Sequence, residues 1–371
     1  MKQTPELRNL LSQESAVRRL KEESCPRKTV SFYRYVKISR PRQLRDDLFV
    51  EWSLLGVLGR VYLAPEGINA QISLPKSNVE NFIQKVEHRK VFKNMQFKWA
   101  LEEGESFIKL SIKVKHQIVA DGLTEGAYNM ADIGTHLKPE EFHEVLEDSS
   151  VVVVDVRNHY ESRIGFFEGA YRPNCDTFKE ELPMIQEYLK GKEKKKILLY
   201  CTGGIRCEKA SAFLKAKGFK NVYQLEGGII NYAHEMRERG IISRFKGKNF
   251  VFDGRLGERV TADIVSTCDQ CGVACDEYTN CENEVCNLLF IQCALCKERQ
   301  SGCCTEKCLL VKKLPPEARR KYRKLFGPTN EKLFRSRQRP ELRRRAIIKQ
   351  MGPELRRRAI CDVVGYNLNI F

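Results

Sequence analysis

Leu198-Leu199-Tyr200-Cys201-Thr202-Gly203-Gly204-Ile205-Arg206-Cys207-Glu208-Lys209-Ala210 is the stretch on which the reading of this chain turns. An apolar strand over residues 196–200 delivers one cysteine into a short turn with two glycines, and a helix-forming stretch begins near Cys207. A strand, turn and helix in that order point the N–H groups of the turn, and the positive end of the helix dipole, at the sulfur. A thiol in such a field loses its proton more readily, and the thiolate is the nucleophilic form. The alternative is a buried cysteine that merely ends a strand. Two glycines and an arginine within five residues favour the reactive reading. Cys201 is then the nucleophile, Thr202, Gly203, Gly204 and Ile205 its loop, and Arg206 a supporting charge.

Around this stretch, residues 135–242 alternate strands with helices. A helix is expected over 139–147, the buried strand Val151-Val152-Val153-Val154-Asp155, a turn at 166–170 and a helix over 177–189. Beyond the Cys201 turn come a helix over 207–217, a strand over 222–225, the Gly227-Gly228 pair and a helix over 229–239. The alternation implies a mainly parallel sheet covered on both faces, with reactive loops at the carboxyl ends of its strands. Upstream, a polar leader (1–29) precedes a different pattern over residues 30–121. Strand 30–36, helix 41–55, strands 59–63 and 69–74, helix 77–87 and strand 107–114 read as β-α-β-β-α-β, a ferredoxin-like split βαβ domain. Its two central strands meet at Ala64-Pro65-Glu66-Gly67-Ile68-Asn69, a turn rich in breakers. The fold class is thus α/β joined to α+β.

The chain has 371 residues, enough for two or three domains with real cores. No apolar run resembles a signal peptide or approaches a membrane span, so a reducing cytoplasm and no membrane partner are expected. Of 15 cysteines, ten lie between Cys268 and Cys308, within a Cys-rich segment over 250–310. In a reducing compartment such clustering means metal or redox chemistry. Cys268-x2-Cys271 and Cys293-x2-Cys296 have structural-zinc spacing, with Cys275, Cys281, Cys286, Cys303, Cys304 and Cys308 around them. Ten thiols suffice for two four-cysteine sites with two to spare, although sequence does not fix the pairing; the alternative is a set of reduced or disulfide-linked thiols. Net charge is +17, and 18 Lys/Arg against four Glu between Lys312 and Arg358 place most of it in a basic tail over 311–371. That tail reads as an electrostatic handle for a polyanion. Within it Pro340-Glu341-Leu342-Arg343-Arg344-Arg345-Ala346-Ile347 recurs at 353–360, too few copies for a solenoid.

The unit over 135–242 resembles the rhodanese domain. Asp155-Val156-Arg157 closes its Val-rich strand, Glu161 follows, Glu168-Gly169-Ala170 precedes Pro173, and Leu225-Glu226-Gly227-Gly228 follows the Cys201 loop with that family's spacing. The resemblance implies that Cys201 can hold a persulfide, with Arg206 in an anion-binding loop. Asp155 and Arg157 are expected to pair within the framework, since buried charges need partners. Six residues run from Cys201 to Arg206, the loop length of sulfur-transferring members; phosphatase relatives use a longer one.

A sharper resemblance spans residues 30–308. The Ala64–Asn69 turn, the Tyr200–Ala210 stretch, Gly227-Gly228-Ile229-Ile230, Phe250-Val251-Phe252-Asp253 and the downstream cysteines occur together and in order. In combination they are similar to the bacterial tRNA uridine(34) hydroxylase family, whose members form 5-hydroxyuridine at the tRNA wobble position using molecular oxygen. This implies an oxidoreductase with tRNA as partner, oxygen as co-substrate and Cys201 as the essential residue. A rhodanese-type sulfurtransferase passing persulfide sulfur from Cys201 is the alternative. Two departures stand out: His116-Gln117-Ile118-Val119 where the family has Lys-Glu-Ile-Val, and Phe166 where rhodanese-like domains often carry His. The triplet His159-Tyr160-Glu161 has the form of part of a two-His-one-carboxylate iron site. At this place in a rhodanese-like domain it reads instead as an ordinary turn. No dinucleotide fingerprint or P-loop is visible, so no oxygen-activating cofactor can be named from sequence.

Overall fold

In the computed structural model, which describes Leu7 and residues 9–326, the leader contains a helix, α1 (Gln13–Glu22), whose first turn is capped by the Ser12 hydroxyl accepting the Ser15 N–H. The next residues build the first sheet: β1 (Arg27–Tyr35), α2 (Pro41–Leu54), β2 (Leu58–Ala64), β3 (Gly67–Pro75), α3 (Val79–His88), β4 (Lys98–Trp99) and β5 (Leu110–Val114). Val30 and Phe32 of β1 point inward against Trp52 of α2 and Phe82 of α3, with ring centroids 5.2 Å apart for Trp52–Phe82 and 6.2 Å for Phe32–Trp52.

Strand order is β4-β1-β3-β2-β5, antiparallel except for the parallel β2–β5 pair. The expected frame is present, but its last strand is placed differently. The edge beside β1 is taken by the two-residue β4, and the strand expected over 107–114 starts at Leu110 and pairs with β2 at the opposite edge. A two-residue strand is too short to show alternation, which is why sequence passes over it.

The second sheet follows from β6 (Thr135–Leu137), α4 (Pro139–Val145), β7 (Val152–Asp155), α5 (His159–Ser162), β8 (Gly165–Phe167), α6 (Phe178–Leu189), β9 (Ile197–Tyr200), α7 (Ile205–Ala216), β10 (Val222–Leu225) and α8 (Gly228–Arg239). Its order is β6-β10-β9-β7, all parallel. Every residue of β7 and β9 is buried, as their continuous apolar runs require of strands covered on both faces. Their register sets Asp155 opposite Tyr200, so Cys201 leaves the sheet beside the end of β7.

Two expectations are corrected here. The segment expected as a turn over 166–170 begins as strand β8, which pairs antiparallel with β11 (Phe245–Asn249); β12 (Glu258–Arg259) completes this three-stranded sheet. Its partner lies about eighty residues away in sequence, beyond any local signal. Helix α7 begins at Ile205, two residues before the expected Cys207, because Gly204 takes the N-cap with φ +97°.

The described residues form two compact units that divide between Asp263 and Ile264. The second holds β13 (Tyr278–Asn280), β14 (Leu289–Ile291), α9 (Ala294–Arg299), α10 (Glu306–Lys313) and α11 (Pro316–Phe326). The duplicated segments at 340–347 and 353–360, and most of the basic tail, lie outside the described residues. No helix among the described residues is long and apolar enough to cross a membrane.

Candidate active site

The Cys201 loop is tied down by backbone on both sides. Gly204 donates its N–H to the Cys201 sulfur at 3.1 Å. Ile229 and Ile230, at the start of α8, donate to the carbonyls of Cys201 and Thr202 at 3.0 and 3.2 Å. Gly228 lies so close that an added Cβ would stand 2.6 Å from the Cys201 carbonyl oxygen and 2.7 Å from the Gly203 nitrogen, and its φ is +68°. Only glycine fits there.

Burial by itself would raise the Cys201 thiol. The Cys207 side chain, the Arg206 charge and the N–H groups of Arg206 and Cys207 outweigh it, bringing the pKa from the ordinary 9.0 down to about 6. Burial pushes Cys207 the other way, as does its hydrogen bond to Cys201, so Cys207 stays a thiol that donates to its neighbour. The sulfur itself is enclosed: Cys201 is 0% exposed, which differs from the accessible thiol that reactivity usually implies.

Two buried ion pairs lie against the loop. Arg206 binds Glu161 through both guanidinium nitrogens at 2.6 and 2.8 Å, and the Thr202 hydroxyl donates to the same carboxylate at 3.3 Å. Arg157 binds Asp155 at 2.7 and 2.8 Å, with both side chains wholly buried, and Tyr200 donates its hydroxyl to Asp155 at 2.7 Å. The His159-Tyr160-Glu161 triplet therefore does not converge on a metal position. Glu161 is occupied by Arg206, while His159 faces Asp176 at 3.0 Å from within the short helix α5. Phe166, one of the departures, lies beneath the Arg172 guanidinium at 3.7 Å. Behind the loop, Glu181 is fully buried and neither of its carboxyl oxygens has a partner among the described residues. Burial holds this carboxyl well above the usual carboxylate range.

Residues of the first sheet close over the loop. An added Cβ on Gly204 would stand 2.9 Å from the Tyr33 hydroxyl, and one on Gly203 would stand 3.7 Å from Cδ of Lys98. Tyr33 donates to Glu208 at 2.9 Å, and Tyr35 donates to the Ile205 carbonyl at 3.2 Å. Lys98 is 4% exposed, its ammonium lies 4.4 Å from the Tyr33 ring centroid, and it makes no ion pair among the described residues. Burial lowers it to about 8, although the charges of Cys201 and Glu208 act in the opposite direction.

The Ala64–Asn69 turn helps to fix this closure. Glu66 accepts the Ile118 N–H at 2.7 Å and pairs with Lys209 of α7 at 3.1 Å, while Lys209 also reaches Asp121 and the Val119 carbonyl. Gln117, part of the other departure, donates to Asp121.

In the second unit, Cys268, Cys271, Cys293 and Cys296 bring their sulfurs within 4.8 Å of one another, with Cys271 and Cys293 3.6 Å apart. Such a set can hold a soft metal ion. A second set, Cys281, Cys286, Cys304 and Cys308, does the same and was not separated from its neighbours by sequence. Sequence reading also passed over Cys207, Lys98, Tyr33, Tyr35 and Glu181. Cys207 had a visible signal, a second cysteine at the start of the helix after the loop; the others depend on tertiary packing.

Three family models match in order: the UPF0176 acylphosphatase like domain over residues 27–118, the rhodanese-like domain over 138–235, and the rhodanase C-terminal region over 246–309. The tRNA uridine(34) hydroxylase of Leptospira interrogans is 53% identical over 339 residues, 91% of this chain and 92% of that protein. The one from Escherichia fergusonii is 44% identical over 348 residues, 91% of this chain and 99% of that protein. Photorhabdus laumondii has another, 46% identical over 340 residues, 90% of this chain and 96% of that protein. These matches run beyond the stretch 30–308 that carries the motifs.

Proposed function

The chain belongs to the tRNA uridine(34) hydroxylase family, and from that premise we propose that it oxidises uridine 34 of tRNA to 5-hydroxyuridine. The observation that carries this reading is 53% identity sustained over 91% of the chain. Cys201 is the essential residue, held as thiolate or persulfide. Its pKa of about 6 makes the thiolate the main form at neutral pH. Arg206 supplies the charge beside it, and Thr202, Gly203, Gly204 and Ile205 shape the loop.

Position 34 lies in a single-stranded loop, so its base can be splayed into a pocket without opening a duplex. The net change replaces the uracil C5–H by C5–OH. With molecular oxygen as co-substrate, the second oxygen atom leaves as water and a reductant supplies two electrons and two protons. The basic tail contacts the phosphate backbone, and the enzyme works in the cytoplasm. Cys268, Cys271, Cys293 and Cys296 hold a structural zinc ion, since four thiolates form a closed set with no position left for substrate.

The test is nucleoside mass spectrometry of tRNA from a strain lacking this gene and any parallel route. Loss of 5-hydroxyuridine and its derivatives, reversed by the gene, is expected; unchanged levels would overturn the reading. The six-residue loop from Cys201 to Arg206 favours the second reading, a sulfurtransferase. Efficient thiosulfate turnover, with tRNA oxidation intact in Cys201→Ser, would support it instead.

A further inference from the structure

We propose that Cys281, Cys286, Cys304 and Cys308 hold a second zinc ion, and that the two metal sites are interleaved along the chain so that together they brace the second unit. The first support is geometric. The sulfur of Cys304 lies 3.6 Å from that of Cys286 and 3.6 Å from that of Cys308, and all four sulfurs fall within 4.8 Å of one another. A disulfide bond is about 2.0 Å long, so these are non-bonded contacts, and no disulfide joins any of the described cysteines. Four thiolates about 2.3 Å from a central zinc sit about 3.8 Å apart at the corners of a tetrahedron. The observed spacing is that of one ion. A cluster of several iron and sulfide atoms would spread the same thiolates further.

The donor set selects the ion. Four thiolates with no histidine or carboxylate among them disfavour hard cations and suit zinc, and a four-coordinate sulfur shell leaves no open position for catalysis. Both groups are also built alike. The Cys304 N–H donates to the Cys281 sulfur at 3.4 Å, as the Cys293 N–H does to the Cys268 sulfur at 3.4 Å. In each group the third cysteine in the chain donates to the sulfur of the first, which favours the thiolate form that metal binding needs.

The order along the chain gives the sites their structural sense. The pair Cys268/Cys271 belongs to the first group, Cys281/Cys286 to the second, Cys293/Cys296 to the first and Cys304/Cys308 to the second. Strands β13 and β14 pair with Tyr278 opposite Ile291, inside this interleaving. Neither site can therefore be removed as a separate loop. Besides cysteines, the buried apolar side chains among the described residues of this unit are Tyr278, Val285, Leu288, Phe290, Ile291 and Val311, and Leu288 and Phe290 cluster with Cys303 and three of the proposed ligands, Cys281, Cys286 and Cys308. Six such side chains are few for a segment of this size, which is where a structural metal supplies folding free energy. Cys275 and Cys303 fall outside both groups and remain thiols.

The proposal rests on the first zinc site only for the interleaving, and the test separates the two. Full-length protein, expressed with zinc and purified under reducing conditions, is expected to contain two zinc ions per chain by plasma mass spectrometry. The double variant Cys286→Ser/Cys304→Ser loses at least one of them. In the unaltered protein, alkylation with peptide mapping should find Cys281, Cys286, Cys304 and Cys308 protected and then labelled together once a chelator is added, a readout independent of how any variant folds. One zinc with only the Cys268 group released by chelator would overturn the second site and leave the first. One zinc with only the Cys281 group released would leave the second site and remove both the first and the interleaving. Iron and sulfide at the Cys281 group, or no chelator-dependent change there, would overturn the proposal.

Discussion

The chain places cysteine in two opposite environments. At the end of β9 a single sulfur is enclosed by amide N–H groups, a thiol and an arginine, which together favour its charged form. In the second unit, eight sulfurs are gathered into two fours at distances where like-charged thiolates repel unless an ion sits between them. An isolated thiolate in a field of donors is available as a nucleophile; a thiolate shared with three others is a ligand. The environment, rather than residue type or burial, separates the two, since Cys201 is 0% exposed and Cys281, one of the clustered eight, only 3%.

The comparison can be broken most severely at the metal sites. Chelation should convert residues 264–326 to fast amide exchange, because structural zinc sites contribute on the order of 10 kcal/mol to folding. Unchanged protection there would mean that the cysteines hold the segment without metal. Next in size, Arg206→Ala leaves the Glu161 carboxylate buried without its counter-charge, at a cost of about 3–5 kcal/mol read by denaturant unfolding. The double variant Glu161→Gln/Arg206→Gln should recover much of that loss, since no charge is then stranded.

Smaller effects test the field around Cys201. Because its pKa is lowered to about 6, the thiolate fraction and hence the alkylation rate should rise with pH through about 6 and level off above 7. Cys207→Ala removes a donor to the charged sulfur and should move the inflection up by about one unit, the size of one hydrogen bond to a charged group. The smallest shift is expected for Lys98→Met, upward by about half a unit, because a single partly screened positive charge is lost. An inflection near the ordinary 9.0 in the unaltered protein would remove the distinction between Cys201 and an ordinary thiol.

What sequence made visible was local. The strand, glycine turn and helix around Cys201 are contiguous, so their geometry follows from adjacent residues. Equal x2 spacings likewise marked Cys268, Cys271, Cys293 and Cys296 as a set. The unequal spacings Cys281-x4-Cys286 and Cys304-x3-Cys308 gave no such cue, and the second group emerged only from the fold. Glu161 was legible as part of a spacing, but its pairing with Arg206, 45 positions on, was not. Tyr33, Tyr35 and Lys98 approach the loop only because the first sheet packs over it, a contact that periodicity cannot encode. The edge taken by β4 was hidden for a different reason, since two residues are too few to show alternation.

The central claim is that the Cys201 sulfur performs the chemistry on uridine 34. Its most direct test is nucleoside mass spectrometry of tRNA from a deletion strain carrying either the unaltered gene or Cys201→Ser at matched protein levels. The account predicts that 5-hydroxyuridine returns with the unaltered gene and stays at background with Cys201→Ser. Restoration of the modified nucleoside by Cys201→Ser would contradict it.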